Sequence, residues 1–295
     1  VSAERLTRVD ELVNNYLNSG QIPGAVVLIA RNGKIVLHKA YGYSNLENKT
    51  PLKTNDIFRI ASQSKAVTSL AVMMLFEEGK FLLDEPVSKY IPEFKNPRVL
   101  VNFNEKDSSY FTEPAKSEPT IRQLLTHTSG IDYAGIGNKE LKAIFAKAGV
   151  PSGIGNHEGL IGDKMKILAK LPLKHHPGER YTYGLNVDVL GYLVEIWSGM
   201  SLDQFFKTRI FTPLGMSDTY FYLPKEKHNR LVTLYETRDG KLAPPTGKIY
   251  DGVSPEYPTL SGTYYSGGAG LSSTVEDYAK FLQLFINGGV YNGKR

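Results

Sequence analysis

Phe58-Arg59-Ile60-Ala61-Ser62-Gln63-Ser64-Lys65 is the stretch on which the reading of this 295-residue chain turns. It holds a serine followed three residues later by a lysine, a spacing found once in the chain. The residues after it, Ala66, Val67, Leu70, Met73, Met74 and Phe76, give a broad apolar face, and Gly79 supplies a stop. The spacing predicts a central helix beginning near Ser62. Positions i and i+3 share a helix face, so the hydroxyl and the amine can meet. A serine hydroxyl is a weak nucleophile until a base takes its proton, and a lysine held as the free amine can be that base. A helix N-terminus also favours the negative charge that develops during acyl transfer. Spacing alone does not separate this from an N-capping serine beside an unrelated surface lysine.

Upstream, Leu6, Val9, Leu12, Val13, Tyr16 and Leu17 recur at helical steps, closed by Gly20 and Pro23. The runs from Gly24 to Ala30 and from Lys34 to Tyr43 flank Asn32-Gly33, a strong hairpin signal. Downstream, residues 80–260 read mostly as helices and irregular links. Short helices are expected over Pro119–Thr128, Val187–Trp197 (stopped at Gly199) and Ser201–Ile210, the last capped by Ser201. Asp239 to Gly262 reads as an ordered loop. Ser273 is expected to cap a final helix to about Phe285, with Leu282 and Phe285 on its inner face. The expected class is α+β: an antiparallel sheet flanked by helices (residues 1–60 and 265–295) interrupted by a mostly helical domain (residues 61–264) that carries Ser62.

Composition removes several alternatives. The chain is 41% hydrophobic and 22% charged, which excludes disorder and fibrous repeats. No apolar run approaches the roughly 18 residues of a membrane span. The net charge of +5 is scattered, and Lys174-His175-His176 is too short to track phosphates, so nucleic acid is not an expected partner. With no cysteine, disulfides and thiolate chemistry are excluded. The N-terminus carries no charged-then-apolar signal segment. A periplasmic or secreted location is expected, with the cytoplasm as alternative.

The nucleophile stretch closely resembles that of class C β-lactamases, their esterase relatives and low-molecular-weight D,D-peptidases, that is, the penicillin-binding protein family. Four further stretches agree in order and spacing. They are Thr120-Ile121-Arg122-Gln123-Leu124-Leu125-Thr126-His127-Thr128-Ser129-Gly130, Pro177-Gly178-Glu179-Arg180-Tyr181-Thr182-Tyr183 with Leu190-Gly191, Pro213-Leu214-Gly215-Met216, and Gly267-Gly268-Ala269-Gly270-Leu271-Ser272-Ser273-Thr274. The resemblance implies a β-lactamase/transpeptidase-like fold and an acyl-enzyme on Ser62, with Lys65 and Tyr183 as the other catalytic residues. Gln63, Asn186 and Gly268 are the expected substrate-binding positions. No metal or cofactor is expected. Tyr181, two residues before Tyr183, is expected in the core.

Two departures qualify the resemblance. Where β-lactamases of class C and many D,D-peptidases carry asparagine two residues after the tyrosine, this chain has Leu185, with Asn186 one further on. Loss of an amide-binding side chain favours an ester over a lactam or peptide. The family's Lys-Thr-Gly or His-x-Gly strand is also not found: Thr246-Gly247-Lys248 has the wrong order and precedes the Gly-rich landmark. The C-terminal strands are therefore expected to be missing, with a separate C-terminal fragment as a partner. A Ser-His-Asp triad through His127 is rejected, since no Gly-x-Ser-x-Gly elbow is present; a hydrogen-bonded structural role is expected for His127. His175 and His176 would point apart on a strand, which disfavours zinc. The expected activity is a serine hydrolase on a small-molecule substrate, a β-lactamase or β-lactamase-like esterase. The alternatives are a D,D-peptidase and a ligand-binding module without turnover.

Overall fold

The computed structural model describes residues 1–249 and 252–295. Helix α1 (Ala3–Asn18) is capped by Ser2, whose hydroxyl accepts from the Arg5 N–H at 3.2 Å, and it packs on the first hairpin. In that hairpin β1 (Gly24–Arg31) and β2 (Lys34–Asn45) pair antiparallel. Asn32 and Gly33 both take positive φ, +51° and +71°, as the two-residue turn requires. The short β3 (Thr50–Pro51) extends the sheet on the β2 side. Next comes β4 (Phe58–Arg59), then one 3₁₀ turn over Ala61–Gln63, then α2 (Ser64–Glu77). The nucleophile candidate thus lies in the turn that feeds the helix.

The middle of the chain is less helical than its sequence predicts. β5 (Arg98–Phe103) and β6 (Tyr110–Pro114) form a hairpin there, with Val101 and Phe111 exposed. Largely solvated strands carry no clean inward-outward alternation, so the pattern was silent. α3 (Ile121–Leu125) opens with a reciprocal capping box between Thr120 and Gln123. α4 (Lys139–Lys147), α5 (Ile161–Ala169) and α6 (Asn186–Ser198) follow, and Gly199 ends α6 at φ +70°. α7 (Leu202–Phe205) is capped by Ser201, as expected. It then runs through a π-helical segment, Phe206–Phe211, into α8 (Thr212–Leu214) rather than as one α-helix.

The stretch expected to be a loop from Asp239 begins inside a third hairpin, β7 (Glu236–Arg238) and β8 (Lys241–Ala243), turned by Asp239-Gly240 with both φ positive. Residues 250 and 251 of that stretch lie outside the described residues. Finally, β9 (Ser272–Ser273) pairs antiparallel with β4, and α9 (Val275–Ile286) closes the chain's regular structure beside β1. Two expectations for α9 need correction. Its cap is Thr274, which accepts from the Asp277 N–H at 3.1 Å, not Ser273. Its buried apolar side chains are Phe281 and Leu284, while Leu282 and Phe285 are exposed.

The core centres on α2 and α6, which pack against each other. Val67, Ala71, Val72 and Leu75 of α2 meet a helix whose residues 186–191 are all buried. Each such aliphatic side chain contributes roughly 1.5–3 kcal/mol by leaving water. Both helices are therefore fixed from several sides, and the polar groups at their N-terminal ends inherit that rigidity.

Candidate active site

Ser62 is exposed, and the residue before it is strained. Ala61 holds φ +43°, in the left-handed region that L-residues with a Cβ rarely enter. This turn places the Ser62 hydroxyl at the mouth of the helix. Lys65, one turn on, donates from Nζ to Ser62 Oγ at 3.2 Å and to the Gly268 carbonyl at 2.7 Å. Tyr183, which arrives from a loop just before α6, lies with its Oη 2.7 Å from Ser62 Oγ. Lys65 Nζ also sits 4.7 Å from the centre of the Tyr183 ring. Three residues expected to act together are within contact of one another. Tyr181, expected in the core, is instead exposed; Tyr183 is the half-buried one of the two.

The Gly-rich turn is stitched to α2 by three polar side chains from the first turns of that helix. The Leu271 N–H donates to Ser64 Oγ at 3.0 Å, Lys65 holds the Gly268 carbonyl, and Thr68 Oγ1 donates to the Gly267 carbonyl at 2.7 Å. Ser64 and Thr68 are fully buried. These two residues were not singled out from sequence. Two hydroxyls four apart on an otherwise apolar helix face were the available signal.

Tyr183 is held between two rings. The Tyr133 ring stacks on it at 5.5 Å and 18°, and the His127 ring lies 5.0 Å away on a tilted plane. Burial pushes the Tyr133 phenol far above its ordinary range. His127 is itself at positive φ, +55°, and its pKa is lowered to about 4, first by burial and then by the charge of Lys65. It is therefore neutral, and its Nδ1 accepts from the Asn186 amide at 3.0 Å. His127 has the hydrogen-bonded role expected of it.

The expected substrate-binding residues are placed as follows. Gln63 is exposed beside Ser62, at the end of an apolar groove of about 590 Å³ between β1 and α9. Gly268 is buried, and its carbonyl is taken by Lys65. Asn186 is fully buried at the start of α6: its carbonyl accepts from Ser129 Oγ at 2.5 Å and its amide is spent on His127. No backbone bulge turns it towards Ser62. Leu185, the other candidate at that place, is buried too. A cavity of about 950 Å³ around Phe211, Tyr220, His228 and Tyr265 has none of the three central residues in its wall. His175 and His176 lie in a bend rather than on a strand: His175 bonds Thr182 Oγ1 at 2.9 Å, and His176 lies 3.4 Å from Glu113.

A small antiparallel sheet, a buried helix pair and a hydroxyl, amine and phenol converging at the head of one helix define the β-lactamase/transpeptidase-like fold. The chain belongs to the Beta-lactamase family, whose model matches residues 9–295. It is 31% identical over 295 residues to the protein named esterase EstB from Burkholderia gladioli, with 96% of this chain and 70% of that protein covered. Among solved structures it is similar to EstCE1, described as a hydrolase with promiscuous acyltransferase activity. That match has a TM-score of 0.84 at 28% identity and covers 98% of this chain and 74% of EstCE1. It is also similar to the simvastatin synthase LovD of Aspergillus terreus, with a TM-score of 0.78 at 27% identity, covering 97% of this chain and 69% of LovD. Family and relatives together support a serine hydrolase-like function. Among the described residues no helix is long and apolar enough to cross a membrane.

Proposed function

We propose that this chain carries the catalytic site of a serine acyl-hydrolase of the esterase type, with Ser62 as nucleophile and Lys65 and Tyr183 as a shared proton acceptor. The observation that carries the reading is the pair of short contacts made by Ser62 Oγ, 2.7 Å to the Tyr183 phenol and 3.2 Å to the Lys65 amine. Lys65 and Tyr183 lie against each other, and both reach Ser62 Oγ, so either can take its proton. As Ser62 Oγ bonds to the acyl carbon, its proton passes to the deprotonated member. That proton then goes to the alkoxide as the ester C–O bond breaks, releasing an alcohol and leaving the acyl group on Ser62. Water attacks next, the pair takes its proton, and the acid is released as the proton returns to Ser62 Oγ.

The choice of ester over lactam or peptide rests on the far side of the site. Asn186, whose amide could have bound a substrate amide, is buried and satisfied, and Leu185 offers no polar group. A site that leaves an amide N–H or carbonyl unpaired discriminates against it by several kcal/mol at most, about 1–3 per group. The test is mass spectrometry after brief exposure to p-nitrophenyl butyrate, nitrocefin or benzylpenicillin. Fast ester turnover with transient butyrylation of Ser62 supports the reading. Fast nitrocefin turnover would make it a β-lactamase, a long-lived penicilloyl adduct would favour a D,D-peptidase, and no Ser62 adduct with any probe would favour a binding module.

A further inference from the structure

Asp188, in the first turn of α6, is a carboxyl group that the steps above leave unused, and it is 1% exposed. Its Oδ1 accepts from Ser266 Oγ at 2.6 Å, and the same hydroxyl accepts from the Ala269 N–H at 3.1 Å. Through that relay α6 holds the turn whose Gly268 carbonyl receives the Lys65 amine. Oδ2 has no well-formed hydrogen bond, and the Gly268 and Asp188 N–H groups lie near the carboxyl. A buried charge oxygen in that condition calls for a partner.

Gly268 shows where the partner is. A Cβ at that position would stand 2.5 Å from Asp188 Oδ2 and 3.6 Å from Lys65 Nζ. The missing side chain is the gap across which carboxylate and amine face each other. Gly153 closes the other side, its own Cβ position being 3.3 Å from both carboxylate oxygens. The titratable groups around the gap come from every element packed there: Lys65 from α2, Tyr133 and His127 from the segment after α3, Tyr183 from the loop before α6, and Tyr264 from the irregular link before Ser266. Tyr133 and Tyr264 are buried phenols held neutral, and His127 is neutral, so Lys65 is the cation among them. Burial raises the carboxyl's proton affinity, and the Ser266 hydroxyl and then the Lys65 charge work against that rise.

We infer that Asp188 is a positioning residue for the proton acceptor: through Ser266 it fixes the Gly268 carbonyl that holds Lys65, and through Oδ2 it stabilises the ammonium form of Lys65 across Gly268. This rests on the acyl-hydrolase reading above. Its signature is a pH profile, because a negative charge beside the Lys65–Tyr183 pair raises the pH at which the pair gives up its proton. Asp188→Asn keeps the shape and removes the charge. The acid limb of kcat/KM for p-nitrophenyl butyrate should then move to lower pH by about one unit, so that at a given pH on the limb the variant keeps about tenfold more of its plateau activity than the wild type does. Ser266→Ala, which breaks the relay but keeps the charge, should lower kcat and leave the limb in place.

An Asp188→Asn enzyme with reduced kcat and an unmoved acid limb would overturn the inference and leave Asp188 a packing residue. Should that variant fail to fold, infrared titration of the wild type and of Lys65→Ala reads the same coupling without turnover. The carbonyl stretch of a buried protonated carboxyl should persist to higher pH once the amine is gone, and identical titrations would overturn the inference. That readout is also independent of whether any ester acylates Ser62, so failure of the hydrolase reading and failure of this one are separable.

Discussion

Tyr183 Oη and Ser62 Oγ are 2.7 Å apart although 121 residues separate them in the chain. The contact exists because α2 and α6 are packed together and each starts its polar chemistry at the same end. Removing the phenol oxygen by Tyr183→Phe keeps the stacked ring against Tyr133 and deletes only the proton carrier. Deacylation should slow at least as much as acylation, by about 10²–10⁴, since the water in the second half must also lose a proton. Burst kinetics with an activated ester reads the two halves separately; an intact deacylation rate would remove Tyr183 from the pair. Ser62→Ala should abolish acylation, and Lys65→Ala should slow it severely without unfolding the protein.

Ser64 and Thr68 support a second prediction, on stability. Ser64→Ala leaves the buried Leu271 N–H without its acceptor, which costs about 1–3 kcal/mol. Thr68→Val does the same to the Gly267 carbonyl from the donor side. Both bonds hold the turn that carries Gly268, so both variants should also lose activity through a misplaced Lys65. Urea unfolding and ester hydrolysis on the same samples check this. An unchanged midpoint together with unchanged activity would mean that the turn is fixed by other contacts.

What the sequence made legible follows a physical line. The Asn32-Gly33 hairpin and the Ser62 helix were readable because their signals are local: a turn that needs two positive φ values, and a face repeated every three to four residues. The final helix was misread on its inner face because Phe281, Leu282, Leu284, Phe285 and Ile286 are all apolar, so periodicity offered two stripes. Only packing selects Phe281 and Leu284. The Asp239-Gly240 turn carried the same signal as Asn32-Gly33 and was passed over because its strands are three residues each. The site divides likewise. Ser62, Lys65 and Tyr183 stand in motifs, whereas Asp188, Ser266 and Tyr133 matter through contacts between distant segments. Asn186 looked available because a sequence does not show that Ser129 and His127 already occupy its amide.

Gly184, directly after Tyr183, gives a third prediction. A Cβ there would lie 2.1 Å from the Ile131 carbonyl oxygen, a distance no side chain tolerates. The neighbour is backbone of the segment leading to Tyr133, so relief requires the two strands of chain to part and the Tyr133–Tyr183 stack to open. Gly184→Ala should therefore be destabilising by several kcal/mol, in the range of severe overpacking, about 1–3 kcal/mol or more. It should also cut ester turnover more than Gly199→Ala, where nothing lies within 4 Å and only the positive φ is strained. Comparing the two by thermal unfolding checks this; equal losses would show that the close approach relaxes freely.

His127 makes stability depend on pH in a window whose sign is fixed. Its folded pKa, about 4, lies below the 6.5 of an unrestrained imidazole, because burial and the Lys65 charge both oppose a proton there. The unfolded chain therefore takes up the proton first as pH falls, which draws the equilibrium towards unfolding. The contribution of the neutral ring is present in full above about pH 6.5 and is lost progressively towards pH 4. Protonation would also turn Nδ1 from acceptor to donor against the Asn186 amide, breaking the 3.0 Å bond. His127→Asn is the comparison of choice, since Asn tolerates φ +55° and its carbonyl can accept but does not titrate. Urea midpoints measured at pH 7 and pH 4.5 should fall more for the wild type than for the variant, carboxylates elsewhere being common to both. Parallel declines would place the acid sensitivity of this fold outside His127.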